Sequence, residues 1–193
     1  MSRIFNSDSM LKWLWITALV VLIDQVSKQW VSHSLQMFEV IRVMPMLNIY
    51  LAHNPGAAFS FLSAAGGWQR WLFTLIALIV SIGLILWLRK LKPHERGLAI
   101  GLAFILGGAL GNVLDRVVFG YVIDFIQFYY PGQRCLPGFS PLVSAHGAQC
   151  IWPTFNIADS AITIGVAVLL LDGVFGMRRQ RQGGAEKRRT HHG

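Results

Sequence analysis

The stretch "FNIADSAITIGVAVLLL", residues 155–171, is mostly apolar from Ile157 onwards but carries Asp159 near its start. With the residues up to Met177 it is long enough to cross a bilayer, whose hydrocarbon core takes about 20 apolar residues of a helix. A charge in that environment costs about 2.5 to 3.5 kcal/mol, so a carboxylate kept there suggests a functional site. A second carboxylate, Asp124 in "YVIDFIQFYY", follows the preceding apolar run. The question is whether the fold brings these two acids together.

The composition of the whole chain indicates a membrane protein. Its 193 residues are 54% hydrophobic and only 13% charged, with a mean hydropathy of +0.50, which leaves too few polar side chains to cover a soluble globule. We predict an all-α fold, a single integral membrane domain over 1–193 with four transmembrane helices. None of the apolar runs alternates apolar and polar residues as the strands of a membrane barrel do. The predicted spans are 13–30, 68–88, 97–119 and 157–177.

The basic residues behind the formal net charge of +8 are unevenly distributed. Of the 17 Lys and Arg residues, 12 lie in the N-terminus up to Lys12, the stretch 89–96 and the tail 178–193, which a four-helix topology puts on one side. By the positive-inside rule that side is the cytoplasm, so both termini are predicted to be cytoplasmic. The basic cytoplasmic tail is then expected to contact anionic membrane lipid, and nucleic acid is not expected as a partner.

The first outer loop, residues 31–67, is long for a helical bundle, which favours a functional role. Within it "FEVIRV" and "MLNIYLAH" lie on either side of Met44 and Pro45 and are rich in β-branched and aromatic residues. This pattern predicts a short extracytoplasmic β-hairpin, a strand pair on the membrane surface or over a cleft. The alternative is a small amphipathic cap with no role in substrate binding.

The second long outer loop, residues 120–155, holds the only two cysteines of the chain, Cys135 and Cys150. The space outside the cytoplasmic membrane is oxidising, so two cysteines in one loop rich in Pro and Gly are expected to form a disulfide. Two free thiols remain the alternative.

Two further polar groups lie within the predicted spans. Asp24 and Lys28 are four residues apart, so they can pair on one face of the first helix. Asp115 and Arg116 end the third helix in "GGALGNVLDR", whose glycines allow a neighbouring helix to approach closely. Asn112 lies one turn before Arg116 on the same face of the helix. Asn112, Asp115 and Arg116 are therefore expected to form a polar surface near the outer side of the membrane. A purely structural role remains open for all of these residues.

Asp124 and Asp159 differ from these acids because neither has an adjacent basic partner and because they bracket the second outer loop. Two carboxylates in close proximity cannot both ionise, so one keeps its proton while the other is anionic. Such a pair can activate a water molecule and protonate a carbonyl oxygen, as in aspartic peptide hydrolysis. The histidines form no ligand cluster, so no metal and no cofactor is predicted. A small proton-coupled carrier using the same buried acids, or a scaffold, remains the alternative.

Five short stretches with polar residues follow one another along most of the chain: "DQVSK" (24–28), "NPGAAFSF" (54–61), "GGALGNVLDR" (107–116), "VIDF" (122–125) and "FNIADSAI" (155–162). In sequence and in order they resemble lipoprotein signal peptidase, the signal peptidase II family of bacterial membrane aspartic peptidases. One departure is that Asp124 and Asp159 are 35 residues apart, more than is expected for the family, and the excess falls in the cysteine-bearing loop.

The resemblance implies that Asp124 and Asp159 are the catalytic pair and that the substrate is a diacylglyceryl-modified prolipoprotein, cut just before its lipidated cysteine. It also implies a bacterial cytoplasmic (inner) membrane location with the active site near the outer face. Polar groups around the pair are expected to orient the substrate. These expected substrate-binding residues are Asn54, Gly56, Asn112, Arg116 and Asn156.

Overall fold

The computed structural model of the protein describes residues 9–56, 66–144 and 147–190, with the side chains of residues 144 and 175–190 outside this description. A short 3-10 turn, Met10–Trp13, precedes the first helix. The helices are α1 (Leu14–Ser34), α2 (Gln69–Lys90), α3 (Arg96–Val118) and α4 (Ile157–Thr190). The strands are β1 (Val40–Met44), β2 (Leu47–Asn54), β3 (Val122–Pro131), β4 (Ser140–Ser144) and β5 (Gly147–Ile151).

The prediction of four membrane spans is confirmed, since four helices within the described residues are long and apolar enough to cross a bilayer. In α4 the helical backbone continues to Thr190, so most of the predicted cytoplasmic tail, 178–193, is helical. The basic side chains of that tail lie outside the described residues. The candidate spans are Met10–Ser34, Gln69–Lys90, Arg96–Val118 and Ile157–Val174.

Helix α3 is the centre of the bundle and packs against the other three helices. In the most apolar part of α3, 61% of the residues are buried, compared with 17% in that of α2. Most of α2 is therefore free to face lipid. Glycines permit the close packing: a Cβ on Gly107 would lie 2.7 Å from the Cβ of Val20 on α1, and Gly108 lies directly against the carbonyl oxygen of Ala158 on α4. The glycines of this stretch therefore admit two neighbouring helices at once.

The all-α prediction is wrong, because the segments outside the bundle form a five-stranded antiparallel sheet in the order β1-β2-β3-β5-β4. The expected β1-β2 hairpin forms one edge, and its turn follows Met44, with Met46 in a left-handed conformation at a φ of 68°. The central strand, β3, lies within the second outer loop that was predicted for residues 120–155. Helix α3 ends at Val118, and Gly120, with a φ of 86°, turns the chain out of the bundle into a run of β-branched and aromatic residues.

The second outer loop is therefore structured along much of its length, contrary to its prediction as a loop. Strand β5 pairs with β3 on one side and with β4 on the other, so the cysteine-bearing segment extends the sheet. Cys135 and Cys150 are joined by a disulfide, with 5.4 Å between their Cα atoms. The sheet thus continues from the first outer hairpin to the end of the cross-linked segment.

Candidate active site

The fold brings Asp124 and Asp159 to the same place from two different elements. Asp124 is the third residue of β3, and Asp159 is the third residue of α4. The segment before α4 runs alongside β3, because the Ile126 N–H donates to the Phe155 carbonyl at 2.8 Å and the Phe155 N–H donates back at 3.0 Å. This short antiparallel bridge holds the N-terminus of α4 next to the strand that carries Asp124.

Asn156 connects the two acids. Its side-chain amide donates to Asp124 Oδ1 at 2.7 Å, and its own Oδ1 accepts from the Asp159 N–H at 2.9 Å. In return Asp159 Oδ2 accepts from the Asn156 N–H at 3.3 Å, which is the reciprocal pattern of a helix capping box. Asp159 therefore begins α4 as the third residue of a capped helix, where the helix dipole stabilises negative charge. Asn156 is fully buried, so its position is fixed by these contacts.

Two more asparagine amides hold the carboxylates in place. Asn112 on α3 donates to Asp159 Oδ1 at 2.8 Å, and Asn54 at the end of β2 donates to Asp124 Oδ2 at 3.1 Å. The second contact follows from the register, in which Asn54 is opposite Val122 and so lies diagonally across from Asp124 on the same face of the sheet. Three of the residues expected to bind substrate thus contact the acids directly.

Arg116 and Gly56 meet on the other side of the site. The Arg116 Nη2 donates to the Gly56 carbonyl at 2.9 Å, while its Nη1 donates to the Asn112 carbonyl at 3.3 Å. Among the described residues the buried Arg116 Nε has no hydrogen-bond partner. The side chain lies over the Phe73 ring, 5.6 Å from its centroid. Arg116 therefore brings a positive charge and one unused donor to the site.

Asp24 and Lys28 do pair, at 2.8 Å, but Lys28 also pairs with Asp115 at 2.9 Å, so the expected two-residue pair is a triad. All three side chains are fully buried. Lys28 donates further to Asn112 Oδ1 at 3.1 Å, and Asn112 in turn donates to Asp159. The triad thus supports the site through Asn112 without itself contacting either Asp124 or Asp159 in the described hydrogen bonds.

A cavity of about 860 Å³ opens between the sheet and α4 and contains both acids. Its polar side is formed by Asn54, Asn112, Arg116, Asp124 and Asp159. Its apolar walls include Met46, Phe128, Phe139, Trp152, Phe155, Ile162 and Ile164. A cavity of this size takes a group as large as a peptide segment or an acyl chain.

Burial, and then the neighbouring charge of Asp159, raises the pKa of Asp124 to about 7. Hydrogen bonds from Asn54 and Asn156 oppose this rise because they stabilise the anion. Asp124 can therefore hold a proton near neutral pH.

Several residues of the site were not predicted from the sequence. Gln25 donates to Asp115 Oδ1 at 2.8 Å and to Asp24 Oδ2 at 3.1 Å. Its polar side chain within a predicted span, next to Asp24, could have indicated this role. The spacing of Asn156 and Asp159 matches a capping box and was likewise readable. Phe139 and Trp152 had no such signal, because their place depends on the pairing of β4 with β5.

Comparisons with known proteins agree on one family. A family profile described as signal peptidase (SPase) II matches residues 16–175. A lipoprotein signal peptidase of Pseudomonas aeruginosa is 49% identical over 163 residues, 84% of this chain and 87% of the relative. Another, of Alteromonas mediterranea, is 44% identical over 190 residues, 97% of this chain and 94% of the relative.

Solved structures give the same result at the level of the fold. A bacterial membrane enzyme solved by the in meso method at 2.3 Å resolution superposes with a TM-score of 0.68 at 29% identity, covering 86% of this chain and 89% of that one. A second, at 1.9 Å resolution, gives a TM-score of 0.64 at 28% identity, covering 83% and 90%. The matching profile, the relatives and the shared fold lead to one conclusion: the chain belongs to the signal peptidase II family.

Proposed function

We propose that the protein is an aspartic endopeptidase that removes the signal peptide from prolipoproteins, with Asp124 and Asp159 as its catalytic pair. Membership of the signal peptidase II family supports the peptidase activity and the prolipoprotein substrate. The choice of residues is carried by one observation: Asp124 and Asp159, linked through Asn156, line a single cavity. The carrier alternative has no support, because the relatives are named as peptidases.

The reaction follows from the protonation of the pair. The anionic Asp159 takes a proton from a water molecule while the oxygen of that water attacks the scissile carbonyl carbon. At the same time protonated Asp124 donates its proton to the carbonyl oxygen. The resulting gem-diol collapses as Asp159 passes its proton to the amide nitrogen and Asp124 recovers a proton from a hydroxyl. The C–N bond breaks, and both acids return to their starting states. One water is consumed for each peptide bond cleaved.

The asparagines and Arg116 position the groups that react. Asn54, Asn112 and Asn156 orient the carboxylates by the hydrogen bonds described above, which limits the reorganisation needed in the transition state. Arg116, whose Nε has no partner among the described residues, supplies a donor for a substrate carbonyl. Gly56 fixes the turn after β2 by accepting from Arg116, and its own N–H donates to Asn54 Oδ1 at 3.0 Å.

The substrate we propose is a prolipoprotein whose cysteine carries diacylglycerol, cut just before that cysteine. The cavity supports this choice because it combines a polar side with long apolar walls, one of which is formed by Ile162 and Ile164 within the α4 span. We place the protein in the bacterial cytoplasmic membrane with both termini in the cytoplasm and the active site near the outer face. The distribution of Lys and Arg along the chain supports that orientation.

The direct test is cleavage of a purified diacylglyceryl-modified prolipoprotein by the purified protein in detergent, with the products identified by mass spectrometry. We expect cleavage at the bond before the lipidated cysteine and at no other bond. The matched control is the same prolipoprotein without the lipid, which we expect to be cleaved at least about 10-fold more slowly because the apolar walls are left unfilled. Cleavage elsewhere, or no cleavage of the lipidated form, would contradict the proposal.

The pH dependence provides a second test. The folded-state pKa of Asp124 lies near 7, above its ordinary value of 3.8, so the folded state binds this proton more tightly than the unfolded chain does. The stabilisation that the proton gives is lost as pH rises from about 4 to about 7. We expect kcat to fall as pH rises above about 7, because the folded enzyme then loses the proton shared by the pair. Thermal unfolding measured from pH 5 to pH 9 checks the effect on stability, and turnover over that range checks the effect on kcat. In Asp124→Asn the decline in stability between about pH 4 and pH 7 should be absent.

A further inference from the structure

The catalytic cavity has one wall that comes from the disulfide-linked segment. Phe139 and Trp152 line the same cavity as Asp124 and Asp159. Phe139 immediately precedes β4 and Trp152 immediately follows β5, and since these strands pair antiparallel the two rings lie at the same end of the hairpin. Their centroids are 5.2 Å apart in an edge-to-face arrangement. We call these two residues the aromatic wall.

Several contacts fix the aromatic wall. The Trp152 N–H donates to the Phe128 carbonyl at 2.8 Å, and the Phe139 ring lies 5.1 Å from that of Tyr130. Gly138 has a φ of 88°, and a Cβ there would lie 2.6 Å from the Trp152 ring, so the backbone contacts the ring closely. The Cys135–Cys150 disulfide closes the base of the same segment. Both rings are partly buried, which leaves part of each available to a ligand in the cavity.

The cavity has a second end within the membrane. Helix α4 begins beside β3 and continues within a candidate membrane span, so Ile162 and Ile164 line the cavity further along this span than Asp159 does. The aromatic wall lies on the sheet side of the cavity, next to the ends of β4 and β5, which are outside the four spans. The acids therefore lie between a membrane end and a sheet end.

The two ends of the cavity fix the direction in which a prolipoprotein chain can bind across the acids. Its signal peptide is an apolar membrane segment, so it leaves the acids towards the membrane end. The residues after the scissile bond belong to the exported part of the protein and leave towards the sheet end, past the aromatic wall.

We propose that the aromatic wall is a specificity subsite for the first residues that follow the lipidated cysteine, and that it selects apolar over acidic side chains. This inference rests on the proposed function. Apolar side chains gain contact area with the two rings. A carboxylate there would lose water and would meet the electron-rich ring faces. The disulfide contributes by holding Phe139 against Trp152.

The test uses three diacylglyceryl-modified prolipoproteins that differ only in the two residues after the cysteine: Leu-Leu, Ser-Ser or Asp-Asp. We expect the wild-type kcat/KM for Leu-Leu to exceed that for Asp-Asp by about 10-fold or more, with Ser-Ser between them. In Phe139→Ala and Trp152→Ala the ratio should fall to about twofold. The matched control is Val143→Ala, an 82% exposed β4 side chain that does not line the cavity, and it should keep the wild-type ratio.

The Cys135→Ser/Cys150→Ser variant keeps both rings but releases the cross-link, so its ratio should lie between those of wild type and Trp152→Ala. If an alanine variant has a lowered unfolding temperature, this double-serine variant provides a second measurement of the Leu-Leu to Asp-Asp ratio of kcat/KM. A ratio that stays at the wild-type value in Phe139→Ala and Trp152→Ala, or a wild type without preference, overturns this inference and leaves the proposed function intact. Failure of wild type to cleave any of the three substrates overturns the proposed function and the subsite with it.

Discussion

Asp124→Asn and Asp159→Asn are each expected to lower kcat by about 10³- to 10⁴-fold, with KM changed far less. Asparagine keeps the shape of aspartate but can neither accept the proton of the attacking water nor supply one to the carbonyl oxygen. At position 159 the amide also removes a negative charge from the first turn of α4. At position 124 it removes the buried group whose pKa is raised to about 7.

The measurement is turnover of the diacylglyceryl-modified prolipoprotein at matched amounts of folded protein. Because the two acids act on one water, the double variant Asp124→Asn/Asp159→Asn should be no slower than either single variant within a few fold. The matched control is Asp172→Asn, an acid on the same helix that does not line the cavity, which should retain wild-type turnover. More than a tenth of wild-type activity in either single variant would show that the pair is not catalytic.

Sequence patterns predicted the parts of the fold that depend on local physics. The four spans follow from the length of apolar runs, and the β1-β2 hairpin follows from β-branched and aromatic residues around Pro45. The prediction that Asp124 and Asp159 form a catalytic pair began from the cost of a carboxylate among apolar residues. Each of these inferences needed only a short window of sequence.

Sequence patterns failed where pairing between distant segments decides the structure. Strand β3 lies within residues predicted as a loop, although its β-branched and aromatic residues are typical of a strand. Its identity as the centre of a sheet depends on β2 and β5, which are far from it in sequence. The triad shows the same limit: an i, i+4 pattern finds Asp24 and Lys28, whereas the contact with Asp115 requires α1 to pack on α3.

That triad gives the second large effect: Lys28→Met is expected to destabilise the folded protein by about 3 to 5 kcal/mol. Lys28 lies 2.8 Å from Asp24 and 2.9 Å from Asp115, and none of the three side chains is exposed. Methionine fills a similar volume but leaves two buried carboxylates facing each other without a cation. Asn112 also loses one of the two donors at its Oδ1 and keeps the other, the Asn156 side-chain amide at 3.2 Å, so turnover should fall as its contact with Asp159 loosens.

Thermal or denaturant unfolding of the purified protein in detergent measures this loss. Lys90→Met, at an exposed position at the end of α2, is the matched control and should stay within about 0.5 kcal/mol of wild type. In an Asp115→Asn background the same Lys28→Met change should cost less, because a single carboxylate, Asp24, is then left without the cation. If Lys28→Met unfolds at the wild-type temperature, the buried charges are compensated by other groups. The hydrogen bonds of Gln25, the Ala158 N–H and the Ile123 N–H would then be sufficient to hold the two acids.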